Sequence, residues 1–213
     1  MGIPVLIIGK SGSGKSTSLR NFTNEIAVIN VLGKPLPFKN SLKKLVTDDY
    51  NKVHKALYEC QERSIVIDDA GYLITNHFMN RHSDAGAGNG VFNLYNEIGD
   101  RYWSLIEFVS RSLPEDKIVY FMMHEERDDF GGIKPKTIGK LLDEKVCLEG
   151  MFTIAMRCVS EKGKHLFLTN GDGIEKTPMG MFDNDEIDND LKFVDQKIRE
   201  YWGLTQNNER EEK

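Results

Sequence analysis

The stretch Gly9-Lys10-Ser11-Gly12-Ser13-Gly14-Lys15-Ser16 constrains this chain more than any other. It follows a short β-branched run, 3–8, and precedes a segment of helical composition, 15–24. The pattern G-x-x-x-x-G-K-[ST] between a buried strand and a helix reads as a phosphate-binding loop. Gly9, Gly12 and Gly14 let the backbone curl until its N–H groups point inward at phosphate oxygens. The following helix is expected to offer its positive N-terminal end. Lys15 suits the bridge between β- and γ-phosphates, and the Ser16 hydroxyl suits Mg²⁺. Lys10, Ser11, Ser13 and Thr17 complete the expected nucleotide contacts. The competing reading is a flexible Gly/Ser turn, which the flanking strand and helix disfavour.

Two further strand ends fit the same chemistry. The apolar run 65–67 delivers Asp68 and Asp69 at its C-terminal end. A carboxylate in that place holds the metal of a phosphate-loop site, so Asp68 is the expected Mg²⁺ partner of Ser16. Asp69 stands where many ATPases carry a Glu that polarises the attacking water; the other reading of the pair is an Asp cap after a core strand. A fourth strand, 118–123, is closed by His124. If it neighbours 65–67, the imidazole faces the γ-phosphate and can sense it; otherwise His124 is a polar strand cap.

The remaining chain alternates strands and helices. A strand is expected over 26–30, helices over 47–63, 92–113 and 188–202, loops over 80–90 and 125–139, and a hairpin over 152–159 and 165–169. Phe92, Tyr95, Tyr102, Trp103 and Phe108 follow helical spacing and read mainly as core. This order predicts an α/β domain with a mainly parallel central sheet and a C-terminal β-hairpin extension. The expected organisation is a core over 1–182, a C-terminal helix over 183–204 and a disordered acidic tail over 205–213. With 39% hydrophobic residues the chain can fill a core, yet no apolar run approaches membrane-spanning length. The segment 183–213 carries ten acidic and five basic side chains and so accounts for the whole net charge of −5. The neutral body neither advertises nor excludes nucleic acid. No secretory signal is visible, and Cys60, Cys147 and Cys158 read as reduced thiols, so a cytoplasmic setting is expected.

The Gly9–Thr17 loop, Asn30-Val31-Leu32-Gly33-Lys34-Pro35-Leu36-Pro37-Phe38, Asp68-Asp69, His124-Glu125-Glu126 and Lys176-Thr177-Pro178-Met179-Gly180-Met181-Phe182 together resemble the phage-encoded RecA-like ATPases of the Sak group. The resemblance covers about 1–182. It implies a RecA-like P-loop NTPase core, ATP as nucleotide, and a role in single-strand annealing or recombination in the host cytoplasm. It also implies single-stranded DNA, a single-strand binding protein and further copies of the chain as partners. Loops at 80–90 and 125–139 then correspond to DNA-contacting loops, with Lys134, Lys136 and Lys140 as the DNA-binding side chains. Lys176 is implied as a finger reaching a neighbouring subunit's γ-phosphate, the other reading being an ordinary surface lysine. Two departures stand out: Glu125, Glu126, Asp128 and Asp129 make half of the second loop acidic, and Asn30 replaces a catalytic Glu at its strand end. Two alternatives stay open: a nucleotide-switched loader or assembly protein that touches no DNA, and a small-molecule kinase. The kinase reading lacks an Arg-rich lid after the loop.

Overall fold

The computed structural model describes residues 1–83, 86, 89–139 and 141–204. In chain order they form β1 (Ile3–Gly9), a 3-10 helix (Ser16–Asn21), β2 (Ile26–Asn30), β3 (Lys43–Val46), α1 (Tyr50–Glu59), β4 (Ser64–Asp68), α2 (Gly71–Arg81) and α3 (Asn89–Ser112). β5 (Ile118–Arg127), β6 (Ile133–Pro135), β7 (Ile154–Glu161), β8 (Lys164–Leu168), β9 (Glu186–Asp188) and α4 (Leu191–Trp202) follow. The sheet runs β3-β2-β4-β5-β1-β7-β8-β9, with β6 paired to β5 off this path. From β3 to β7 every neighbouring pair is parallel; β8 and β9 add an antiparallel edge. The fold is thus α/β around a mostly parallel mixed sheet, and the expected hairpin is present as β7–β8.

Parallel strands are covered on both faces, and the sequence supplies apolar residues for both. Leu6, Ile8, Ile65, Ile67, Val119 and Phe121 face a layer built from α1, α2 and α3. Val5, Ile7, Val66, Ile118, Tyr120 and Met122 face the 3-10 helix and α4. Phe121 sits edge-on to Tyr102 and Phe152, with ring centroids 6.4 and 5.5 Å away. Each such pair adds about 1 kcal/mol beyond area burial.

α4 is part of this core. Its N-cap Asp190 accepts from the Lys192 and Phe193 N–H groups, Gly203 closes it in the left-handed region, and Leu191, Val194 and Ile198 are buried. Buried Asp195 fastens it to the N-terminal ends of two strands. Its Oδ1 accepts from Ser64 Oγ (2.5 Å) and Tyr120 Oη (2.8 Å), and its Oδ2 from Arg199 Nε (2.8 Å). Tyr120→Phe removes one of these donors while keeping the ring. It should cost about 1 kcal/mol in urea denaturation; an unchanged midpoint would remove the tyrosine from the network.

Several expectations need correction. The helix after the loop is a 3-10 helix of six residues, starting at Ser16 rather than running over 15–24. The helix expected over 47–63 covers Tyr50–Glu59, because Asp49 caps it by accepting from Asn51 and Lys52 N–H groups. Asn80 and Arg81 end α2, and Asn89 and Gly90 begin α3, so both ends of the loop expected over 80–90 are helical, while 84, 85, 87 and 88 lie outside the described residues. The loop expected over 125–139 is largely a hairpin: Glu125, Glu126 and Arg127 pair with Pro135, Lys134 and Ile133. Of the aromatics on α3, Tyr102 is buried, but Phe92 is 65% and Trp103 41% exposed. The tail expected over 205–213 lies outside the described residues. Cys60, Cys147 and Cys158 are free thiols. Among the described residues no helix is long and apolar enough to cross a membrane.

Candidate functional site

β1, β4 and β5 end at one edge of the sheet, and their register brings the expected residues together. Gly9 lies level with His124, and Ile67 with Phe121, so Asp68 follows on the same edge. β5 separates β1 from β4, and the adjacency on which the reading of His124 depends is present.

The loop after β1 owes its shape to glycine. Gly12 and Gly14 have φ of 78° and 105°, in the region that side chains disfavour. A Cβ on Gly14 would lie 2.8 Å from the His165 ring, and one on Gly9 would lie 2.5 Å from the Cys158 carbonyl oxygen. The loop is held against the β7–β8 hairpin. His165 Nδ1 stands 2.7 Å from the Ser13 carbonyl oxygen, a contact that requires the Nδ1 proton, and Cys158 Sγ donates to the same oxygen at 3.1 Å. The buried Ser13 Oγ has no partner.

Lys15 is buried, and its Nζ donates to the carbonyls of Gly9 (2.7 Å) and Lys10 (3.0 Å). Burial lowers its pKa, while Cys158, Asp69, Asp68 and Glu125 pull it back up. Ser16 Oγ donates to Asp68 Oδ1 at 2.8 Å. Burial raises the Asp68 pKa, which the Ser16 hydrogen bond offsets in part. A divalent cation would relieve that cost. Among the described residues no three His, Cys, Asp or Glu side chains converge as an all-protein metal site. One hydroxyl and one carboxylate suit Mg²⁺, which keeps waters and takes phosphate oxygens as its other ligands. The donor set and the glycine cradle therefore fit a Mg²⁺–nucleotide. The helical contribution to anion binding is smaller than expected, because a short 3-10 segment carries little macrodipole.

Asp69 adopts φ of 60°, strained for a residue with a Cβ. Its Oδ2 accepts from Lys34 Nζ at 3.3 Å, and its Oδ1 lies 3.5 Å from His124 Nε2. Burial works against its charged form, but His124 and Lys34 outweigh burial and hold the carboxyl below its ordinary range. Lys34 also stands over the Tyr72 ring, 5.5 Å from its centroid. It is held there by the turn that Asn30 builds: Asn30 Oδ1 accepts from Gly33 N–H (2.8 Å) and Nδ2 donates to the Lys34 carbonyl (2.6 Å). Asn30 thus organises a turn in the place where a catalytic Glu was sought. Lys10, Ser11, Lys34, Tyr72, His124 and Lys136 line a cavity of about 510 Å³ beside the loop.

The other candidates divide. Lys136 joins this cavity, and its N–H donates to the His124 carbonyl at 2.8 Å. Lys134 Nζ lies 3.3 Å from Glu126, so its charge is matched within the hairpin. Lys140 lies outside the described residues. Glu125 is bound by Arg157 through bonds of 2.7 and 2.9 Å, so its charge is neutralised at the root of that hairpin. Lys176 bridges Ala155, which lies level with Leu6, three residues short of Gly9. This is about 10 Å back from the loop and on the far side of β7, so its own chain does not bring Lys176 to the cavity. Sequence reasoning assigned no role to His165, Cys158 or Arg157. Lys34 it quoted only within a motif. No protein-family model matches the chain, and no curated protein matches it.

Proposed function

We propose that this chain is a Mg²⁺-dependent, ATP-binding and ATP-hydrolysing protein with a RecA-like P-loop core. The observation that carries the reading is the Ser16 Oγ–Asp68 Oδ1 contact of 2.8 Å, made beside the buried Lys15 and the glycine cradle. Bound Mg²⁺–ATP would supply the phosphoryl group and a cation to spread its developing charge. The loop N–H groups and Lys15 hold the phosphate chain, and Ser16 and Asp68 hold the cation. Asp69 and His124 orient the attacking water. A carboxylate with a lowered pKa is a poor proton acceptor, so Asp69 acts here by position more than by basicity. Lys34, 3.3 Å from Asp69, adds positive charge where the transition state gathers negative charge.

The reading is tested by ATP hydrolysis of wild type and Lys15→Ala, with and without single-stranded DNA. Lys34→Met gives a second measurement. Losing the ammonium raises the Asp69 pKa, so the acid limb of the pH–rate profile should move to higher pH; an unmoved limb would separate Lys34 from the reaction.

Single-stranded DNA, in phage recombination or replication, is the substrate we favour, with Lys136 on the cavity rim as the best placed of the expected contacts. The pairing of Lys134 with Glu126 and the exposed Asp128 and Asp129 favour the second reading, a nucleotide-switched loader or assembly protein. A salt titration of oligonucleotide binding distinguishes them. A steep loss of affinity with salt supports direct DNA contact, and no binding at low salt supports the loader.

A further inference from the structure

Arg157 and Glu125 come from the two strands that flank β1. Arg157 on β7 lies level with Ile8, and Glu125 on β5 follows His124, which lies level with Gly9. Neighbouring strands stand about 4.8 Å apart, so β5 and β7 are about 10 Å apart with β1 between them. The two side chains therefore meet over the end of β1, at the root of the phosphate loop. Met123 and Ala155 face the layer built from α1, α2 and α3, and two residues on, Glu125 and Arg157 point to that same face. The cavity beside the loop opens there too: Glu125 lines it together with Lys10 and Ser11 of the loop and Gly71 and Tyr72 of α2. Glu125 is also within the electrostatic reach of Lys15.

The pair is not needed to join the strands, because β1 already pairs with both. A buried ion pair is in any case weak grounds for stability, since desolvation offsets its attraction. Arg157 donates through Nε and Nη2 to Glu125, at 2.7 and 2.9 Å. Its remaining edge is loosely held: Nη1 stands 4.0 Å from Glu175, beyond hydrogen-bond length. The Glu125 and Glu175 side chains are 2% and 5% exposed, so two nearly dry carboxylates share one guanidinium. A planar fork can serve two oxyanions through separate edges, which an ammonium cannot.

We propose that Arg157 reads the γ-phosphate in cis, donating to it through Nη1 while Nε and Nη2 stay with Glu125. The inference rests on the nucleotide reading above and adds to it the residue that distinguishes ATP from ADP. The positive charge that the resemblance sought in Lys176 of a neighbouring copy is then supplied by the chain itself. When only a diphosphate is bound, Nη1 stays with Glu175.

The test is calorimetry on the full chain with Mg²⁺, comparing affinity for a nonhydrolysable ATP analogue with affinity for ADP. Wild type should prefer the triphosphate. Arg157→Met should lower that preference about 10-fold or more, the weight of one charge-assisted hydrogen bond, and leave ADP affinity unchanged. Arg157→Met alone strands Glu125 without its partner, so a double variant, Arg157→Met with Glu125→Gln, removes both charges and protects the fold. It should still lack the preference for triphosphate. A wild type without that preference, an unchanged preference in Arg157→Met, equal weakening of both nucleotides, or a preference restored in the double variant would each reduce Arg157 to a structural ion pair and overturn the proposal. Wild type that binds neither nucleotide would overturn the reading of the phosphate loop, and this proposal with it.

Discussion

Replacing Lys15 by alanine is expected to lower ATP hydrolysis by about 10²–10³-fold, the usual cost of losing one positioned charge at a transition state. The ammonium lies against the Gly9 and Lys10 carbonyls, inside the curl of the loop and within the field of Asp68 and Asp69. A bound polyphosphate would place its densest negative charge there, and no other lysine of the loop is buried. Calorimetry of the variant with Mg²⁺–ATP should register little or no heat, while its far-ultraviolet dichroism stays that of wild type. Wild-type turnover in Lys15→Ala would reject the assignment of this loop to phosphate.

Gly14→Ala is the second large effect, and it falls on the fold as well as the site. The residue has φ of 105°, and the added methyl would lie 2.8–3.0 Å from three atoms of His165. A side chain in left-handed backbone costs roughly 1–2 kcal/mol, and overpacking adds roughly 1–3 kcal/mol. A loss of about 2–5 kcal/mol in denaturant unfolding is therefore expected. His165→Ala in the same chain should recover the packing share and leave the backbone share, so the double mutant falls between wild type and Gly14→Ala. If His165→Ala recovers nothing, the ring is not what confines the loop.

The parts of the site that were legible in the sequence are those set by local pattern. Gly9 to Ser16 declares its curl through glycine spacing, and Asp68 and His124 each end an apolar run. The parts that were not legible depend on distant partners. Lys34 becomes a neighbour of Asp69 only because β2 and β4 pair, and His165 reaches Ser13 only because β8 lies beside β7. The edge strand β3 escapes notice because all four of its residues are exposed, which erases the alternation that marks a half-buried strand. Glu125-Glu126-Arg127 reads as loop because its residues are polar, yet pairing with β6 satisfies its backbone. α2 begins at Gly71 and buries only Leu73 and Ile74, too narrow a stripe to register as helical periodicity.

The position of β1 also sets when the loop that follows it can take its shape. β1 is synthesised before both its neighbours, which come from beyond residue 117, and the carbonyl of Ser13 is clasped from 158 and 165. A nascent chain that stops at 150 lacks one flank of its central strand and both clasps of its glycine turn. Contacts between such remote segments form slowly, since the intervening chain must first be ordered. The curl of the glycine loop is therefore fixed only once the chain has been made past residue 165.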